Sequence, residues 1–420
     1  MKNKIFCNKF LVMLLAFFSP MIINIGGEVS PSLLFIVATS PLWIKNLNFK
    51  AKTPFRYILH LLLALVAVQI VWAMFAVTPL MDQVKGILIV VSGIFYFMYY
   101  YMVYSYNKEV VKWAVLGSFL ASFVFINVLA DIAGGEFGFW KFQVMPRIVT
   151  MCVLIYLWGS KNKYVVKTAP ILFILVGGLG LATGARSTGL GPFLAGTITI
   201  VLQLKKRVDL SQIKKYLLIG CCLLYAAYAL VYVPNVMNGN ISAGNTEQLK
   251  SMDNPYNPLA LLMIGRADSV IPFLAFLDKP LAGWGYFTPD PHLKYHKMQL
   301  AMLDEGDVDV TSLDAIQIPG HSGWGYLSCS YGILGFLICF LLVKKALSCV
   351  FKSLVVHDRY LLYRIFITIG FLWNFLFSPL AHFKTLPSVI AAILVFSMPA
   401  LRGSQNKEHV YNGIKRIKKE

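Results

Sequence analysis

Acidic side chains are scarce in this sequence, and its apolar stretches hold almost none: 19 Asp and Glu stand against 38 Lys and Arg over 420 residues. That scarcity argues against an ion- or proton-driven carrier, which places carboxylates within its membrane spans; Asp131, at the outer end of one apolar stretch, comes nearest. Cysteines are few as well. None of the seven falls in a segment read as external, so no disulfide framework is expected, and no C-x-x-C pair points to a structural metal. Polar surface is also short, with 14 % charged residues against 58 % hydrophobic. Soluble domains rarely show that balance.

What the chain does have is apolar runs from one end to the other, and a helix needs about 20 such residues to cross the hydrocarbon of a bilayer. The expected fold is an all-α polytopic membrane protein with about 12 transmembrane helices, at 10–25, 29–44, 57–77, 86–104, 113–133, 147–159, 169–183, 189–204, 216–233, 321–343, 365–377 and 386–401. The opening "MKNKIFCNKFLVMLLAFF" resembles a signal peptide but lacks a small-x-small cleavage site, so it reads as an uncleaved first span. An even number of spans puts both termini on one side. Lys and Arg number 28 on that side and 10 on the other, while the acidic residues divide 5 and 14. By the positive-inside rule the termini are cytoplasmic. The net charge of +19 is thereby explained as an orientation signal, and no nucleic-acid partner is expected.

Four regions follow: spans one to nine in 1–233, a large external loop at 234–320, spans ten to twelve in 321–401, and a basic cytoplasmic tail at 402–420. A loop of 87 residues in a compact membrane protein is usually functional. Within it, 259–277 is apolar but carries Arg266, Asp268 and Pro272 near its middle, and a central charge costs on the order of 3 kcal/mol on insertion. Two short interfacial helices joined by Arg266 to Ser269 fit better than another crossing. The acidic stretch "DEGDVDVTSLD" (304–314) lacks the ligand order of a calcium loop. His292 and His296 have zinc-like spacing without a third ligand, and Pro289 and Pro291 point to irregular chain there. No metal or cofactor is expected.

Three side chains stand out on the external side. Arg186, in "ATGARSTG" at the outer end of the seventh span, has no acidic residue within ten positions. Its planar fork of donors matches phosphate or pyrophosphate oxygens, with snorkelling to headgroups as the alternative. Nearby Gly184, Gly189 and Gly191 allow close backbone approach. Arg266 sits at membrane depth on the same side, with Asp268 as a possible internal partner. His321, just before the tenth span, can accept a proton from a hydroxyl nucleophile. His60 and His382 read as a packing and a loop residue. Trp284, Tyr286, Trp324 and Tyr326 are placed to stack on sugar faces, although interfacial belts also collect Trp and Tyr.

The small-residue turn "GARSTG", the "GRADS" arginine followed by "FLDKPLAGWGY", and "GHSGWGYLSCSYGILG" leading into a span together resemble the O-antigen polymerase and O-antigen ligase superfamily. These are multi-pass glycosyltransferases of the bacterial inner membrane. The likeness covers 170 to 345 by motif and the whole chain by topology. It implies a cavity under a large periplasmic loop, Arg186 and Arg266 gripping the pyrophosphate of an undecaprenyl-diphosphate-linked oligosaccharide, and His321 as general base. It also implies membrane lipids and a chain-length regulator protein as partners. Two departures stand: Ser322 follows the histidine where many relatives have Asn, and Thr197 occupies a position where some polymerases have Gly.

The primary expectation is a polymerase that moves a growing glycan onto another lipid-linked repeat unit, with a ligase acting on lipid A core as the alternative within the family. A transporter or lipid flippase is the alternative from another class; a broken helix around Gly177 to Gly180 is its one sequence hint. Single cysteines placed in the 304–314 stretch and in the 402–420 tail check the orientation. In intact cells an impermeant maleimide should label the first and spare the second; the reverse pattern inverts the topology.

Overall fold

A computed structural model describes residues 3–24, 28–47, 53–75, 78–125, 138–204, 228–238, 266–303, 317–354, 358–378 and 385–398, with isolated positions (49, 222, 225, 226, 249, 250, 252, 254–258 and 260) between them. Among these residues the architecture is helical. The exceptions are a two-residue antiparallel ladder, Ile23 with Val29 and Asn24 with Glu28, and one bridge between Pro289 and Gln317. The helices that matter below are α1 (Lys9–Phe17), α2 (Pro31–Ala38), α3 (Pro54–Ala73), α4 (Leu80–Tyr106), α5 (Val111–Val124), α6 (Trp140–Gly159), α7 (Lys163–Ala182), α8 (Arg186–Leu204), α9 (Ala267–Asp278), α10 (Lys294–Leu303), α11 (Gly323–Ser353), α12 (Leu361–Phe377) and α13 (Leu386–Met398).

Helices stand at eleven of the twelve stretches expected to span, and the twelfth, 216–233, lies largely outside the described residues. Six of them, α3, α4, α6, α7, α8 and α11, are long and apolar enough to cross a membrane. The others run only 8 to 17 residues. The helix starts are capped locally: Thr53, Asn162 and Ser322 accept the first-turn amides of Arg56, Tyr164 and Gly325, relieving donors that have no partner within the helix. On α7, Ile171, Leu175 and Leu179 are 52, 65 and 45 % exposed. Their four-residue spacing makes one outward apolar stripe. Such a face against water is unfavourable by the hydrophobic effect, and against lipid it is not, so this is the pattern of a helical membrane-embedded protein.

The tightest packing is between α7 and α8, which run antiparallel. A side chain on Gly177 would meet the Gly189 carbonyl oxygen at 2.7 Å, and one on Gly189 would meet the Gly177 carbonyl oxygen at 2.6 Å. The backbones therefore touch, as at small-residue interfaces in lipid. Gly189 thus serves helix packing, and a side chain on Gly191 would meet only the Phe366 ring at 3.9 Å. Through Gly177 to Gly180, α7 is continuous.

A break occurs elsewhere. In α11, Gly332 has φ +59 and ψ −145, a conformation open to glycine and strained for other residues. The carbonyls of Cys329 and Ser330 lose their helical partners there, and the amides of Trp284 and Gly285 donate to them at 2.8 and 2.9 Å. In return the Ile333 amide donates to the Pro280 carbonyl at 2.6 Å. Gln83 Nε2 donates to the Tyr286 carbonyl at 3.1 Å, and Trp72 Nε1 donates to the Ala282 carbonyl. The 280–286 segment is thereby seated on α3, α4 and α11.

Two adjacent glycines test the α7–α8 contact. Gly178 has open space around it, so Gly178→Ala should leave thermal unfolding in detergent within about 0.5 kcal/mol of the parent. Gly177→Ala should destabilise by about 1–3 kcal/mol through overpacking. Equal stability of the two variants contradicts the described interface.

Candidate functional site

The site forms at one end of the α6–α7–α8 group. Gly184, at φ +82, turns the chain from α7 into α8, so that Arg186 becomes the first residue of α8. The turn is pinned from the side. Ala185 is fully buried with Met145 and Val149 of α6, and Trp140 Nε1 donates to Thr183 Oγ1 at 2.8 Å. The helical start of α6 at Trp140, upstream of the expected boundary at 147, brings Lys141 to the same end. Arg186 Nη1 donates to the Tyr232 hydroxyl at 2.7 Å, with the guanidinium 5.6 Å from that ring.

Arg266 precedes α9 and is half-buried, its guanidinium 5.3 Å from the Trp373 ring of α12. Burial holds its pKa below the ordinary arginine value, Asp268 opposes that shift, and the charge of Arg186 adds to it. A guanidinium stays protonated through such a shift. What matters is that the charges of Lys141, Arg186 and Arg266 act on one another. Bringing like charges together on partly desolvated ground is unfavourable by itself, and an anionic ligand would offset it.

Asp268 and Ser269 lie in the first turn of α9, the second of the two short helices expected across 259–277, while the first lies largely outside the described residues. Their backbone and side chain fix His321: the His321 amide donates to the Asp268 carbonyl at 3.0 Å, and Ser269 Oγ donates to the His321 carbonyl at 3.0 Å. His321 Nδ1 stands 3.5 Å from Asp268 Oδ2, with the two side chains 56 and 37 % exposed. Gln299 Nε2, from α10, donates to the other carboxylate oxygen. Among the described residues Arg266 has no carboxylate within salt-bridge distance, so the Arg266–Asp268 pair expected as an alternative is replaced by Asp268–His321. A carboxylate beside Nδ1 favours the tautomer with its proton there, leaving Nε2 as acceptor for a hydroxyl proton.

The structure thus brings Arg186 and Arg266 into electrostatic range and ties His321 to the Arg266 helix through Asp268. It corrects the aromatic assignments. Tyr286 and Tyr326 are 2 and 8 % exposed, their rings edge-to-face at 5.5 Å, and Tyr326 Oη accepts the Phe287 amide at 3.0 Å. Buried rings of this kind offer no face to a sugar. Trp324 is half-buried between Phe336 and Phe375. Trp284 donates to the Ala275 carbonyl at 2.8 Å and carries Lys279 Nζ 3.7 Å from its ring. The irregular chain expected at His292 and His296 is found at His292, which has φ +53, whereas His296 lies in α10.

Lys141, Tyr232, Asp268 as a histidine partner, Gln299 and Trp373 were not singled out from sequence. Lys141 had a signal, since it is one of only ten cations in the segments read from sequence as external. The others needed the packing of distant elements. If the three cations share one anion, Lys141→Met, Arg186→Ala and Arg266→Ala should each weaken inorganic pyrophosphate binding by roughly 10- to 150-fold, the equivalent of one charge-assisted contact. Calorimetry on the purified protein reads this, and undiminished binding in the Lys141 variant removes it from the site. Compared with family models, curated proteins and solved structures, the chain finds no match in any of the three.

Proposed function

We propose that the chain is a membrane glycosyltransferase acting on polyprenyl-diphosphate-linked glycans, and within that class a surface-polysaccharide polymerase. The observation that carries this reading is geometric: the Trp140–Thr183 hydrogen bond at 2.8 Å sets Lys141 and Arg186 at one end of the helix group, and Arg266 precedes the helix whose Asp268 stands beside His321. The finer topology belongs to the proposal: twelve spans, both termini cytoplasmic, the site on the periplasmic face of a bacterial inner membrane.

In this reading the cations bind the diphosphate and neutralise the charge that builds on it as the glycosidic carbon–oxygen bond breaks. His321 Nε2 takes the proton of the acceptor hydroxyl as its oxygen bonds to the anomeric carbon. Diphosphate is already a good leaving group, so alignment and charge neutralisation are the main tasks. At about 1.5–3 kcal/mol per charge-assisted contact, the cluster supplies several kcal/mol if its contacts tighten in the transition state.

The transport alternative gains little. Among the described candidate spans the break at Tyr331–Gly332 has no second, symmetric counterpart, and the 280–285 segment caps its carbonyls, leaving them unavailable to an ion pathway. Purified protein given lipid-linked repeat unit alone should build longer chains, and product formed only after lipid A core is added assigns the ligase. Arg186→Ala, Arg266→Ala and His321→Ala should each lower polymer at least 100-fold, on the order expected for loss of an electrostatic or acid–base catalyst, at unchanged protein level. Normal polymer from the histidine variant removes His321 as base.

A further inference from the structure

The far end of α6 and α7, about 30 Å from Arg186 at 1.5 Å per helical residue, holds a second concentration of positive charge. A cavity of about 450 Å³ opens there between the α6–α7 turn and the start of α12, lined by Ser160, Lys161, Lys163, Lys167, Asp358 and Arg359. Its volume is in the range of small-ligand sites. The acidic residue in the lining does not neutralise the lysines, because Asp358 pairs with the fully buried Arg364 at 3.0 Å. Arg359 is tied to Glu109 at 2.8 Å. Among the described residues none of Lys161, Lys163 and Lys167 has a carboxylate within 4 Å. Arg364, which holds Asp358, is itself fixed by the Phe396 and Ser353 carbonyls, while Lys161, Lys163 and Lys167 remain exposed.

The setting identifies the occupant. α7 is 20 residues long, the thickness of a bilayer core, so a cavity at its first turn lies at the level of lipid headgroups. Tyr164 and Trp158, beside the cavity in sequence, are 81 and 42 % exposed, as rings at a membrane–water interface are. We infer that this cavity binds the phosphate headgroup of an anionic phospholipid, with Lys161, Lys163 and Lys167 as its charge partners. Basic pockets between helices at this depth suit such headgroups. The inference stands apart from the transfer reaction, since the cavity is a full helix length from the other cation cluster.

Native mass spectrometry of the full-length protein in detergent, titrated with diphosphatidylglycerol, tests it. K161Q/K163Q/K167Q should weaken lipid retention by roughly 10- to 100-fold. K161R/K163R/K167R, which keeps the charge, should restore it, and K45Q/K344Q/K352Q, an equal charge loss among other exposed or half-exposed residues of the same side, should match the parent. Phosphatidylcholine should not compete. Equal weakening by both Gln variants means a diffuse charge effect and overturns the site. Displacement of the lipid by millimolar inorganic phosphate overturns the lipid as its ligand.

Discussion

The interrupted helix α11 is the constraint on which the rest depends. A helix broken at membrane depth leaves carbonyls that lipid cannot satisfy, and here the 280–285 segment supplies the missing donors through Trp284 and Gly285. Once that segment is seated, α9 is drawn along α11, since Asp278 and Trp284 are joined by only five residues and Trp284 bonds back to Ala275. The same docking lays the first turn of α9 beside the chain that enters α11. His321 and Asp268 meet for that reason, although 52 residues separate them.

The helix positions were legible because an apolar run long enough for a bilayer is a strong signal. Crossing length was less so: the expected 29–44 span is interrupted at Thr39 between Pro31–Ala38 and Ser40–Trp43, and the expected 10–25 span leaves helical geometry after Phe17, although both stretches stay largely apolar. The α11 break was visible only as Gly332 in an apolar run, and glycine within a membrane helix more often marks packing, as Gly177 and Gly189 do. Of the site, Arg186, Arg266 and His321 were legible as polar groups in costly places. Their partners were not, since Asp268 near Arg266 in sequence is also the natural partner for that arginine. Only the hydrogen bonds of Ser269 and the Asp268 carbonyl turn the pair toward His321. Tyr286 and Tyr326 were misassigned because an aromatic residue in an external segment or near the edge of a span gives no sign in sequence of whether its ring faces water or a core.

The two ends of the molecule use positive charge differently. At one end Arg364 is fully buried, with one carboxylate and two carbonyls around it, and Glu109 gathers Lys112, Arg359 and the Tyr360 hydroxyl. Those charges are compensated inside the protein and tie α5, α12 and α13 together. At the other end Arg186 and Arg266 lean on the rings of Tyr232 and Trp373. A ring face attracts a cation without cancelling its charge, and among the described residues Arg266 has no carboxylate within salt-bridge distance.

The reciprocal bonds between the 280–285 segment and α11 also have an evolutionary corollary. Pro280 is matched to Ile333, while Trp284 and Gly285 are matched to Cys329 and Ser330, so an insertion or deletion between 280 and 285 would misalign both ladders at once. Length variation within this short clasp should therefore be rejected.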